Sequence, residues 1–198
     1  MTGARSLLQR LRDDRRGVTI VEFAVIAPVL LLTILGLSDL GYRGYVQSIL
    51  DGAMQKAGRD STLEGAGANT AVIDADVIAQ VRRIAPNAEY SPSRRSYTRF
   101  SDVERAEDYS DTNDNDQYDS GECFEDLNGN GQWDANVGSD GQGGANDVVL
   151  YEMTVTYPRL FPLAGMLGWS ENQEIKGMTL LKNQPYNVQN EPAVVKCA

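Results

Sequence analysis

Apolar and polar positions divide the chain into a polar start, a long apolar segment and a mostly polar remainder. Residues 18–37 carry a single charged side chain, Glu22. At about 1.5 Å per residue, a helix over this range is long enough to cross the hydrocarbon core of a bilayer. The pattern therefore predicts a transmembrane or assembly segment at 18–37.

A helical pattern continues beyond the apolar segment. Between Tyr42 and Met54, apolar residues recur at intervals of three and four, opposite polar ones, which is the spacing of one helical face. We expect one long helix over 18–58 that ends at Gly58. Pro28 should bend this helix or open its hydrogen bonding locally.

Residues 59–198 have the pattern of one globular domain. The composition of 59–70 is typical of a linker, and apolar spacing predicts a helix over 71–85, closed by Pro86. Residues 87–108 are ambiguous, with possible strands near Glu89 and Tyr97.

Strict alternation of apolar and polar residues predicts a strand over 147–157, and 174–182 should form a second strand. The apolar connector between them is expected to pack in the core, although its composition also suits a membrane surface. Together the elements predict an α+β fold in which the long amino-terminal helix packs on a small antiparallel β-sheet.

The charge distribution indicates how the apolar segment is oriented. Residues 1–17 hold five arginines and two aspartates, a net charge of +3, so the total of −10 leaves −13 on the remainder. Arginines on one flank favour an amino terminus in the cytoplasm and a periplasmic or extracellular domain. So acidic a domain is not expected to bind nucleic acid. Because histidine is absent and no nucleophile and base pair is visible, we do not expect an enzyme.

Two ordinary interpretations of the apolar segment fit it incompletely. A cleaved secretory signal would have a shorter apolar run and a small-residue cleavage site. A permanent single-pass anchor would carry a carboxylate that costs about 2.5 to 3.5 kcal/mol at mid-membrane, and less near an end. An exposed glutamate near a helix end without a function is the remaining alternative.

The sequence RRGVTIVEFAVIAPVLLLTILGLSDLG resembles a known family. A basic leader, Gly17 before Val18, and Glu22-Phe23 at the fifth and sixth positions after the glycine resemble the class III signal of type IV pilin-like proteins. The segment as a whole resembles the TadE-like pseudopilins of the Tad (Flp) tight-adherence pilus.

The resemblance implies a minor pilin or pseudopilin of the bacterial inner membrane, with its domain in the periplasm or, after assembly, on an extracellular pilus used in surface adherence. A prepilin peptidase would remove the leader 1–17 and leave Val18 as the new amino terminus. Other pilin subunits and the pilus assembly platform would be its partners. Glu22 would then pair with the Val18 ammonium of a neighbouring subunit.

An acidic repeat occupies the middle of the globular domain, within residues 108–147. The segments 111–119 and 126–134 share the pattern D-x-N-x-N-x-Q-aromatic-D, offset by 15 residues. Oxygen atoms at such spacing resemble an EF-hand-type loop, which surrounds Ca²⁺ with six to eight oxygen ligands. The expected ligands of one or two calcium ions are Asp111, Asn113, Asn115, Gln117, Asp119, Glu122, Asp126, Asn128, Asn130, Gln132 and Asp134.

Each copy departs from the full EF-hand template. The first has Asp116 at the turn position that glycine normally occupies, but it has Glu122 at the bidentate twelfth position. The second has Val137 at the twelfth position, so Asp140 or Asp147 is a possible extra ligand. A solvated acidic loop without metal is the alternative. An uncleaved single-pass protein whose calcium-stabilised outer domain binds a ligand or partner is the alternative function.

The two cysteines, Cys123 and Cys197, are too few for a disulfide scaffold and lack the spacing of a zinc site. In an oxidising compartment they would form one bridge that holds the tail against the acidic loops. Two unpaired thiols are the alternative.

Overall fold

The computed structural model describes residues 16–61, 69–161, 165, 168–185 and 195–197. Most of the leader and most of the expected linker lie outside these residues. The described residues form two compact units, one of residues 16–44 with those described within 159–171, and the other of those described within 45–158 and 172–197.

The elements confirm the α+β prediction. Helix α1 (Arg16–Ser61) is followed by α2 (Thr70–Arg82), β1 (Glu89–Tyr97), a short 3-10 helix (Phe100–Asp102), β2 (Cys123–Glu125), β3 (Ser139–Asp140), β4 (Val148–Pro158), β5 (Asn172–Lys182) and β6 (Val195–Cys197). The two longest predicted strands are β4 and β5. The ambiguous region forms one strand, β1, and not two.

The larger unit is built on a four-stranded antiparallel sheet with the strand order β3-β1-β4-β5. The central strand β4 pairs along its whole length with β5, from Val148 opposite Lys182 to Pro158 opposite Asn172. A separate two-stranded sheet joins β2 to β6. The chain end therefore returns to the acidic region through β6.

Alternate residues of β4 form the centre of the core, as the period-two pattern predicts. The buried core residues of β4, of the end of α1 and of α2 include Val149, Tyr151, Met153, Val155, Tyr157, Val46, Leu50, Met54, Ile73, Val77 and Val81. The helical spacing of the sequence thus matches the buried faces of both helices.

Gly58 does not end α1, so that prediction is wrong. The helix continues to Ser61, and Gly58 lies against strand β5. A Cβ atom on Gly58 would lie 2.8 Å from the Thr179 hydroxyl oxygen, which is too close for a real contact. The glycine lets the helix approach the sheet closely.

A buried ion pair fixes α2 to the sheet. Two guanidinium nitrogens of Arg94 donate to the Asp74 carboxylate at 2.6 and 3.0 Å, and the Tyr151 hydroxyl donates to the same carboxylate at 2.5 Å. The guanidinium carbon also lies 3.9 Å from the Tyr151 ring centroid. Burial is the first cause that raises the pKa of Tyr151, and the Asp74 carboxylate adds to the rise. The phenol therefore stays a hydrogen-bond donor.

Candidate functional site

The amino-terminal part of α1 leaves its apolar side chains exposed within its own unit. Within the described residues, Thr19–Ser61 is the one helix that is long and apolar enough to cross a membrane. None of its most apolar stretch is buried. The Thr33 and Ser38 hydroxyls donate to the carbonyl oxygens of Val29 and Ile34, each at 2.8 Å. Both hydroxyl donors thus have hydrogen-bond acceptors within the helix, as a lipid environment without water would require.

The residues expected to direct processing and assembly lie on this helix. Gly17 and Glu22 are exposed, and so is Phe23. Val18 lies in the first turns of the same helix. The structure therefore leaves the Glu22 carboxylate accessible to a partner.

The two acidic segments fold into loops with the same hydrogen-bond pattern. In the first, the Asp111 carboxylate accepts from the backbone N–H groups of Asn115 and Asp116, at 3.3 and 2.8 Å. In the second, the Asp126 carboxylate accepts from Asn130 and Gly131, at 3.1 and 2.9 Å. The first aspartate of each loop thus organises its backbone. Backbone donors, with that of Asp116 first, lower the pKa of Asp111.

The asparagines of each loop have equivalent partners. Each asparagine carbonyl oxygen accepts from the backbone N–H two residues later, so that Asn115 N–H donates to Asn113 Oδ1 and Asn130 N–H donates to Asn128 Oδ1. Each asparagine amide donates to the last aspartate of its loop, Asp119 or Asp134, at 2.6 to 2.8 Å. The amide orientation keeps a free lone pair on every asparagine oxygen.

Backbone dihedrals also match between the loops. The fourth and sixth positions have positive φ in both, 57° and 59° at Asp114 and Asp116, and 77° and 81° at Gly129 and Gly131. Aspartate tolerates this left-handed conformation better than most residues, although glycine adopts it without strain. Asp116 therefore keeps the turn that the template assigns to glycine.

A buried glutamate closes each loop. The Glu122 carboxylate accepts from the backbone N–H groups of Thr112 and Asp119, at 2.8 and 2.9 Å. Glu107 does the same for the second loop, where it accepts from Leu127 and Asp134 at 2.7 and 3.0 Å. Glu107 precedes the first loop in the chain but closes the second one.

Sequence reasoning missed Glu107, although a signal for it was present. The repeat extends beyond the loops, since Glu107 and Tyr109 stand 15 residues before Glu122 and Phe124. The structure shows a two-fold relation between the copies: Tyr109 and Phe124 form an antiparallel bridge. Ser110 donates to the Cys123 carbonyl, and Glu125 donates to the Asp108 carbonyl, each at 2.8 Å.

Aromatic residues pack between the two loops. The eighth residues of the loops, Tyr118 and Trp133, stack with their ring centroids 4.9 Å apart. Tyr109 contacts both rings edge-on, at 5.9 Å. The Trp133 indole donates to the Glu107 carbonyl oxygen at 2.9 Å. This small core ties the loops into one body.

The remaining predicted residues are placed as follows. Asp140 lies on β3 opposite Arg95, and the Asp147 carboxylate accepts from the Gly144 backbone at 2.6 Å. Gln117 and Gln132 enter the loop pattern through their backbone N–H groups.

The end of the chain pairs with the acidic region through β6. Cys123 is disulfide-bonded, and the chain contains one other cysteine, Cys197. The pairing of β2 with β6 sets Cys197 directly opposite Cys123.

Three carboxylates of the acidic region are buried. Glu107 is 2 % exposed, Glu122 is 3 % exposed and Asp126 is 0 % exposed. In the described part of the chain, Glu107 and Glu122 accept from backbone N–H and hydroxyl donors and form no salt bridge with lysine or arginine. Burial is the main cause that raises the pKa of Glu107, and the N–H donors of Leu127 and Asp134 oppose that rise.

These side chains offer oxygen ligands of the kind that Ca²⁺ prefers. Each loop combines carboxylate and amide oxygens with a closing glutamate, and each asparagine oxygen has a lone pair beyond its one hydrogen bond. As the described side chains stand, no group of three or more Asp, Glu, His or Cys residues is close enough to hold a metal ion. In each loop, the asparagine amides occupy the acceptor oxygen of the last aspartate. The donor set fits calcium in its chemistry, through both amides and carboxylates.

Comparison with known proteins bears on the amino-terminal helix. Residues 17–59 match the family model described as TadE-like protein. This segment is TadE-like. The match begins at the glycine before Val18 and ends near the end of α1, so it leaves the acidic loops and the whole sheet outside. No curated protein and no solved structure matches the chain.

Proposed function

We propose that the protein is a minor pilin or pseudopilin that takes part in assembly of a Tad-type pilus for surface adherence. The observation that carries the proposal is the coincidence of the TadE-like match, residues 17–59, with a helix whose apolar half is exposed. An exposed apolar helix of this length needs lipid or other helices around it. Both environments are available to a pilin, first in the inner membrane and then in the filament.

Processing and orientation belong to the same proposal. Prepilin peptidase cuts after Gly17, so that Val18 becomes the amino terminus, and the domain that follows α1 lies in the periplasm. Glu22 is exposed on the helix and costly in lipid. Its carboxylate pairs with the Val18 ammonium of a neighbouring subunit, which sets the axial register of packing.

A charge-selective pair of variants tests the assembly role. Glu22→Gln removes the charge and keeps the shape, whereas Glu22→Asp keeps the charge on a shorter side chain. If the carboxylate pairs with an ammonium, Glu22→Gln should insert in the membrane but be absent from sheared pili, and Glu22→Asp should retain part of the incorporation. Immunoblots of membrane and pilus fractions measure this. Normal incorporation of Glu22→Gln would contradict the role of Glu22.

We also propose that calcium stabilises the outer domain through the two loops. The buried glutamates support this, because a buried carboxylate is ordinarily paired with a cation. Glu122 would supply the closing ligand of the first loop and Glu107 that of the second. Affinities of about 10⁻⁴ to 10⁻³ M, typical of extracellular modules, are expected.

Thermal unfolding of the full chain in detergent tests the calcium proposal. A tenfold excess over Kd should stabilise the folded domain by about 1.4 kcal/mol per loop. Magnesium should give less, since it prefers a tight octahedron with retained water. Equal melting temperatures in millimolar calcium and in chelator would contradict the proposal.

A further inference from the structure

The connector between β4 and β5 is attached to the apolar helix by a partly buried ion pair. The Arg159 guanidinium donates to the Asp39 carboxylate at 2.6 Å, with side-chain exposures of 21 % and 14 %. The same residue closes the connector, because its Nε donates to the Ser170 carbonyl and its backbone N–H donates to the Glu171 carbonyl, each at 3.0 Å. Arg159 thus holds both ends of the connector together beside the helix.

Two large apolar side chains of the connector are exposed next to the Arg159–Asp39 ion pair. Leu160 follows Arg159 and is 48 % exposed, and Trp169 precedes Ser170 and is 65 % exposed. The expectation of core packing is therefore wrong for Leu160, and Leu163, Met166 and Leu167, to which it also applied, lie outside the described residues. Something other than the protein's own core must cover them if they are to leave water.

The position of the Arg159–Asp39 ion pair along α1 identifies what covers Leu160 and Trp169. Asp39 is two residues beyond Leu37, the last residue of the apolar segment, which is about 3 Å of axial rise. When residues 18–37 lie in hydrocarbon, Arg159 and the side chains beside it are at the level of the lipid headgroups. Tryptophan favours this level because its ring is apolar and its N–H is polar.

We propose that the connector is a membrane-interface anchor, in which Trp169 and Leu160 insert into the lipid surface beside the transmembrane helix. The ion pair between Arg159 and Asp39 sets its depth. This inference rests on the proposed membrane insertion of α1. A neighbouring subunit is the other possible occupant, and the experiment below separates the two.

Quenching of tryptophan by brominated acyl chains tests the anchor. The full chain is reconstituted in phosphatidylcholine vesicles with and without bromine on the acyl chains. The emission of Trp169 is the difference between the unmutated chain and Trp169→Phe, so the other tryptophan, Trp133, needs no substitution. Bromine should abolish most of the Trp169 emission and leave the emission of Trp169→Phe unchanged.

Variants of the Arg159–Asp39 ion pair supply the second measurement. Arg159→Gln and, from the other side of the ion pair, Asp39→Asn should each reduce the quenching of Trp169 while the chain still resists extraction by alkaline carbonate. If the unmutated chain resists extraction but Trp169 is not quenched, the anchor is refuted and a neighbouring subunit becomes the occupant. If carbonate extracts the chain, the proposed membrane helix fails and the anchor fails with it.

Discussion

Substitution of Glu107 by glutamine tests the least expected feature of the acidic region. Glutamine has the same shape as glutamate but carries no charge and only one acceptor oxygen. Glu107 accepts from two backbone N–H groups, those of Leu127 and Asp134, so one of these donors loses its acceptor. A buried donor left unpaired costs about 1 to 3 kcal/mol. Removal of a buried carboxylate offsets part of that cost in the absence of a cation.

The calcium-dependent part of the stability gives the sharper prediction. If Glu107 closes the second loop, Glu107→Gln should remove that loop's stabilisation, about 1.4 kcal/mol at a tenfold excess of calcium over Kd. For a chain of this size, about 2 to 4 °C of melting temperature corresponds to 1 kcal/mol. The melting-temperature rise on addition of calcium should therefore shrink by about 3 to 6 °C.

Three further variants complete the experiment. Glu122→Gln should lose a similar increment from the first loop, and the double variant should lose nearly all of it. Glu125→Gln is the matched control, since it removes the same charge between the loops and its side chain closes neither of them. Calorimetry in calcium and in chelator measures the four variants and the unmutated chain. A full calcium increment in Glu107→Gln would refute the assignment of Glu107 to the second loop.

Three other changes probe the fold. Asp74→Ala leaves the Arg94 charge, 9 % exposed, without its partner. The free energy of unfolding, measured by chemical denaturation, should fall by about 3 to 5 kcal/mol. A fall below about 1 kcal/mol, as at exposed pairs, would contradict the buried pair. Gly58→Ala should lower stability by forcing Thr179 away, and Thr179→Ala should restore part of the loss; no rescue would exclude that contact. Asp116→Gly should stabilise the first loop by about 1 kcal/mol in melting experiments, because the backbone φ of 59° strains any residue but glycine. A destabilised variant would show that the Asp116 carboxylate contributes more than this strain costs.

Periodicity was sufficient to predict the main elements. Strand β4 has the clearest alternation in the chain, and its buried residues apart from Val148 lie on the one face that the pattern assigns to the core. The end of α1 was misplaced because Gly58 suits either a helix end or a close helix contact. Only the position of Thr179 on β5, far along the chain, decides between the two.

The acidic loops show the same limit. The ligand types and spacing of residues 111–119 and 126–134 are visible in the sequence, because they are local. The glutamate of the second loop is not local, since Glu107 reaches it through the pairing of the segments around Tyr109 and Phe124. The EF-hand template assigns the closing ligand to the twelfth position of the same loop. In the second loop that position is Val137, which is buried and apolar.

The connector was misjudged for a related reason. Its apolar composition fits a core and a membrane surface equally well. What separates them is the contact of Arg159 with Asp39, which fixes the connector beside the helix near the end of the apolar segment. No periodicity in the connector itself contains that information.

The mature amino terminus tests the central claim most directly. Intact-mass and amino-terminal peptide analysis of the protein, purified from membranes of cells that contain the pilus system, shows where the chain starts. The account predicts a chain that begins at Val18 and lacks residues 1–17, and Gly17→Arg should retain the leader. A chain that begins at Met1 in the unmutated protein would contradict the pilin assignment and favour an uncleaved single-pass protein.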